Sequence, residues 1–172
     1  MIENGLCNNY ERKSKWAALS FISIAFITLL YTFFSAISVS TVLASALFTS
    51  GLFSLYYTSK ENASIPASWF RSLLYLSAGV SIFFISSELS VLLFSLLFAL
   101  LTLNSLFFTY LTRQNATAFA WLLDTLINAF FTFYLFLNSE INITTVAIFI
   151  SIHLISGGLV LLYSGRKIFI RP

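Results

Sequence analysis

Apolar residues in this chain come in long, nearly unbroken blocks, unlike the alternation of a half-buried strand or the one-sided stripe of a soluble helix. Six such blocks are separated by polar breaks. Each is long enough, at 1.5 Å per residue, to cross a hydrocarbon core about 30 Å thick. They predict helices over 16–34, 38–57, 69–86, 89–110, 118–137 and 143–164. The breaks alternate in character: "FSAISVS", "SSELS" and "NSEINI" are short, whereas "TSKENASIPAS" and "LTRQNAT" are longer and more polar. The pattern therefore predicts an all-α, polytopic membrane protein built from three helical hairpins.

Landmarks recur through the hairpins. Gly51, Asn104 and Gly157 are 53 residues apart, as are Tyr57, Tyr110 and Tyr163, and Lys60, Arg113 and Arg166. Trp16, Trp69 and Trp121 open the units at spacings of 53 and 52. Periodicity of this kind predicts a triplicated unit, with repeats about 16–68, 69–120 and 121–165 between tails at 1–15 and 166–172. Two spans per unit keep all units in one orientation, so they are parallel repeats about an axis along the membrane normal.

Composition agrees with this pattern. Of 172 residues, 59% are hydrophobic and 9% charged, and mean hydropathy is +0.92. Soluble domains carry about 25% charged residues. The net charge of +3 raises the question of nucleic acid, but the positions of the charges answer it. Arg12, Lys13, Lys15, Lys60, Arg71, Arg113, Arg166, Lys167 and Arg171 all fall on one side of the predicted topology, while the opposite turns carry Glu88 and Glu140. Basic residues flank cytoplasmic helix ends, so both termini are expected in the cytoplasm, with the bilayer as partner and no nucleic acid. The first span is about twice the length of a signal-peptide core and reads as uncleaved. Cys7 is the single cysteine, which excludes an internal disulfide and a multi-cysteine metal site.

Polar residues within the spans are the candidate sites. Counted from the tyrosines, Gly51, Asn104 and Gly157 lie about 9 Å inside the cytoplasmic boundary. Asn128 has a similar depth, so Asn104 and Asn128 are candidates to meet across a helix pair. Gly51, Gly157 and Gly158 read as helix-packing positions. Asp124, three residues past Trp121, is within snorkelling reach of the interface, and Arg71, two past Trp69, reads as an interfacial anchor. His153, the only histidine, is ten residues from Tyr163 and so roughly 15 Å deep. Because that count puts Asp124 about 10 Å shallower than His153, no direct pair between them is expected. His153 reads either as a buried hydrogen-bonding group or as a proton sensor, its ordinary pKa lying near 6.5. Glu88 and Glu140 are outer candidates that neutralise near pH 4.3. No nucleophile–base pair, phosphate loop or metal-spaced cluster is present, so no catalytic residue, metal or cofactor is expected.

Length, six spans, three hairpins, the unit-opening tryptophans and the final unit "WLLDTLINAFFTFYLFLNSEINITTVAIFISIHLISGGLVLLYSGRK" resemble the HdeD family of acid-resistance membrane proteins. The chain departs from that pattern at "FFSAISVS", where the family favours Pro or Gly, and at His153, where it can carry an acid. The resemblance implies a non-enzymatic protein of the bacterial inner membrane that aids acid survival. The residues themselves leave two alternatives: a small pH-dependent transporter or channel for protons or a solute, and an assembly subunit that pairs with itself or another membrane protein.

Overall fold

The computed structural model describes residues 2–34, 38–60, 66–82, 84, 87–113, 117–138 and 142–167, with side chains described within 15–34, 38–58, 69–82, 84, 92–113, 117–138 and 142–163. The fold is all-helical: α1 (Ile2–Phe34), α2 (Val39–Lys60), α3 (Pro66–Ile82), α4 (Ser87–Leu111), α5 (Ala118–Leu137) and α6 (Ile143–Lys167). Each of the six expected spans has its helix, but several boundaries move. The first helix runs back through residues read as a tail, and α3 stops at Ile82, four residues short. Among the described residues, five helices are long and apolar enough to cross a bilayer; α3, at 17 residues, is the shortest helix described.

Local chemistry explains several starts. Ser38 accepts a hydrogen bond from Thr41 N–H at 3.3 Å, and Asn142 Oδ1 accepts one from Thr144 N–H at 3.1 Å. These side chains satisfy donors that the first turn of a helix leaves unpaired. Pro66 opens α3, where its missing N–H costs nothing. Within the spans, Thr28, Thr102, Thr132 and Ser151 donate to carbonyls four residues back at 2.7–2.9 Å. Much of the Ser/Thr content of the spans is thus satisfied within its own helix, as a bilayer requires.

The tightest helix pairs are α1/α6, α2/α3 and α4/α5, while the consecutive pairs α1/α2, α3/α4 and α5/α6 are looser. The chain thus closes into a ring whose closest seams join different hairpins. Glycines set two of these seams. A Cβ on Gly79 would lie 2.8 Å from the Phe48 nitrogen and 3.0 Å from the Ala44 carbonyl, and one on Gly158 would lie 3.0 Å from the Ala18 carbonyl. Gly51 meets the backbone of Leu76 in the same way. Phe33, Leu92, Leu103 and Phe133 point outward, an apolar surface suited to lipid and not to water. The molecule is a polytopic helical membrane protein.

Gly79→Ala should destabilise the fold by about 1–3 kcal/mol, because backbone on α2 cannot yield as a flexible side chain can. Thermal unfolding in detergent measures it, with Val80→Ala on the exposed face expected to change little.

Candidate functional site

Polar residues of α3, α4, α5 and α6 converge in the bundle. On α3, Arg71 and Tyr75 are four residues apart and share a face. The α3 and α6 backbones stay apart among the described residues, and these two long side chains cross the gap. Gly157 makes room, since a Cβ there would sit 2.8 Å from Arg71 Nη2. Its role is clearance for a guanidinium, unlike the backbone approach expected from the sequence.

Asp124 is the centre. It is fully buried and accepts hydrogen bonds from Ser105 at 2.6 Å and Ser156 at 2.5 Å, one at each carboxylate oxygen. Arg71 Nη2 lies 3.6 Å from Oδ2, and His153 Nδ1 lies 3.7 Å from Oδ1. Those two separations exceed hydrogen-bond length, so the contacts are electrostatic. Arg71 also lies 5.7 Å from the Trp121 ring centre and 5.8 Å from that of Tyr75. Trp121 in turn stacks on Phe108 at 4.5 Å.

Arg71 Nε donates to the Tyr75 hydroxyl oxygen at 3.1 Å, and that hydroxyl shares a hydrogen bond with His153 Nε2 at 2.5 Å. With Nδ1 facing the Asp124 carboxylate, the favoured tautomer keeps its proton on Nδ1 and takes the tyrosine hydrogen at Nε2. With His153 neutral, Arg71 and Asp124 cancel and the cluster has no net charge.

Three expectations are corrected here. Asp124 does not snorkel, Arg71 is no interfacial anchor, being 9% exposed, and Asp124 and His153 do face each other. The depth count failed because it treated Trp121 as an interfacial marker. Trp16 is 64% exposed, but Trp121 is 8% exposed and packs inside the bundle. Asn104 and Asn128 are both buried, yet the bond between them does not form, since neither Asn128 amide atom has a hydrogen-bond partner among the described residues. Glu140 lies outside the described residues, and Glu88 falls in α4 with its side chain outside them. Sequence reading missed Tyr75 and misplaced Arg71. A signal was available: Arg71 and Asp124 are 53 residues apart, as are Tyr75 and Asn128, the interval of the other landmarks.

A cleft of about 660 Å³ runs between the first half of α5 and the second half of α6. Phe119, Leu123, Ile155 and Tyr163 line it, with Asp124 and Ser156 in its wall. No group of three or more metal-ligating side chains occurs among the described residues. The chain matches no family model, no curated protein and no solved structure.

Removing one partner of a buried ion pair costs about 3–5 kcal/mol. Asp124→Asn and Arg71→Gln should each lower thermal stability on that scale. The double variant should lose clearly less than the two together, as a double-mutant cycle on the purified protein would measure.

Proposed function

We propose that this chain is a non-enzymatic protein of the bacterial inner membrane that responds to acidification by taking up a proton at the Asp124–His153 pair, and so contributes to acid-stress survival. The observation that carries the reading is His153, held between the Tyr75 hydroxyl and the Asp124 carboxylate in a charge-balanced core. His153 Nε2 and both Asp124 oxygens already hold hydrogen bonds, so one more proton enters a site that is already bonded. If it enters at His153 Nε2, that nitrogen becomes a donor and the Tyr75 hydrogen loses its acceptor. If it enters at Asp124, Arg71 loses its counter-charge. Either way the cluster gains a unit charge, which is costly in a bilayer interior, and the helices holding it must readjust.

The topology belongs to the same proposal: three parallel hairpins with both termini in the cytoplasm. Its support is the 53-residue spacing and the alternation of tight and loose helix pairs around the ring. The likeness to the HdeD family points toward acid stress, and the bilayer is the partner, with self-association or a second membrane protein as further contacts. Glu88 and Glu140 remain outer candidates through their ordinary carboxylate chemistry alone.

Because His153 is the only histidine, ¹⁵N-histidine labelling in lipid bilayers reads its tautomer and charge without ambiguity. A scan from about pH 8 to about pH 3 should begin from the Nδ1–H form and pass through one protonation of the cluster, with acid survival of a deletion strain restored by wild type and not by equally abundant His153→Gln. A spectrum unchanged across the scan, or equal rescue by the variant, would sink the reading.

A second reading, transport of protons or a small solute, is favoured by Asn128, whose buried amide is unbonded among the described residues. It requires pH-driven flux in liposomes that Asn128→Leu abolishes. A sealed wild-type protein would exclude it.

A further inference from the structure

The two ends of the cluster are not alike. On one side, the cleft between α5 and α6 opens along the start of α5 and the end of α6, with exposed Phe119 and Tyr163 at its rim. It reaches Ser156, which is 7% exposed and hydrogen-bonded to Asp124. On the other side the same helix pair is closed by aromatic rings. Phe131 stacks on Phe149 with centroids 4.2 Å apart and planes 9° from parallel, and Tyr134 meets Phe149 at 5.4 Å. Phe98 completes the plug, edge-on to Phe131 at 5.3 Å and perpendicular to the His153 ring at 5.9 Å. Phe98 is fully buried and Phe131 nearly so.

We infer that the cluster exchanges its proton with one side of the membrane only, the side of the chain termini, through the α5/α6 cleft with Ser156 as the relay. The inference rests on the proton-binding reading above and names its direction. A hydronium ion in the cleft donates to Ser156 Oγ as the serine passes its own hydroxyl proton to Asp124 Oδ1. One O–H bond forms and one breaks at the serine, water is released, and Asp124 becomes a neutral acid. Ser156 can also donate to the His153 carbonyl at 2.9 Å, so its hydroxyl has an alternative acceptor once Asp124 is protonated. The Phe98, Phe131 and Phe149 rings of the plug offer neither acceptor nor donor to continue such a path. The charged or titratable groups facing Asp124 are Arg71 and Tyr75 from α3 and His153 from α6. From α4 it meets Ser105. Among the side chains described, α2 carries no charged group, α1 carries Lys15 at the start of its apolar stretch, and Arg113 follows the end of α4. In the proposed topology the protein therefore reads cytoplasmic pH, and the outer glutamates are not its route.

The test uses full-length protein with Trp16→Phe and Trp69→Phe, reconstituted in one orientation, so that Trp121 beside Arg71 is the sole tryptophan reporter. Acid is applied by rapid mixing to each face in turn. A fast emission change should follow acid on the terminus side. Acid on the opposite side should act about ten-fold more slowly or worse, and Ala120→Phe, which fills the cleft outside the cluster, should slow the terminus-side response about ten-fold without moving its end point. Phe149→Ala should open the far side. A response that is equally fast from both faces, or faster from the far face, overturns one-sided access, as does an unslowed Ala120→Phe. Absence of any change with both faces acidified overturns the underlying proton-binding reading instead.

Discussion

The buried attraction between Arg71 and Asp124 is the constraint around which the rest of this bundle is arranged. A lone charge inside a bilayer is expensive, and the expense falls only when an opposite charge and enough hydrogen bonds surround it. Asp124 receives two serine hydroxyls and faces two nitrogens, so four positions on three helices serve one carboxylate. The guanidinium enters because residue 157 has no side chain, and it is flanked by the Tyr75 and Trp121 rings. Apolar packing holds the ring of helices elsewhere, but at this level α3 joins α6 through these polar side chains.

That arrangement also explains why the imidazole is poised. The Tyr75 hydroxyl accepts from Arg71 Nε and bonds His153 Nε2, so one side chain couples the guanidinium to the imidazole. Arg71 Nη2 and His153 Nδ1 meet Asp124 through electrostatics and not hydrogen bonds, so the balance of the cluster rests on charge as well as on bonding. The same dependence makes the cluster sensitive to loss of any one member.

The number and order of the helices were legible in the sequence, because a membrane span is specified by unbroken apolar length and little else; the early start of α1 and the early end of α3 were not. The site was legible as residue types and not as a constellation. His153 and Asp124 were both noticed, but a depth scale tied to Trp121 separated them, and that tryptophan is 8% exposed inside the bundle. Arg71 was assigned to the interface on its closeness to Trp69. Cost supplied the missing argument: an arginine, an aspartate and a histidine within the spans of one small bundle are each unfavourable alone, so their meeting is the cheapest arrangement. Tyr75 had no such signature and becomes visible only once Arg71 is known to face inward.

Spacing adds a last step. Ala18, Arg71 and Asp124 fall at intervals of 53, as do Ile22, Tyr75 and Asn128. Gly158, which lies against Ala18 and Ile22, is likewise 53 residues from Ser105, which hydrogen-bonds Asp124. The interval thus joins a small apolar residue, a cation and an anion. The same charge at all three positions would add repulsion inside the bundle. Opposite charges at two of them and alanine at the third leave a single neutral pair, so difference along the interval, and not sameness, supplies the chemistry.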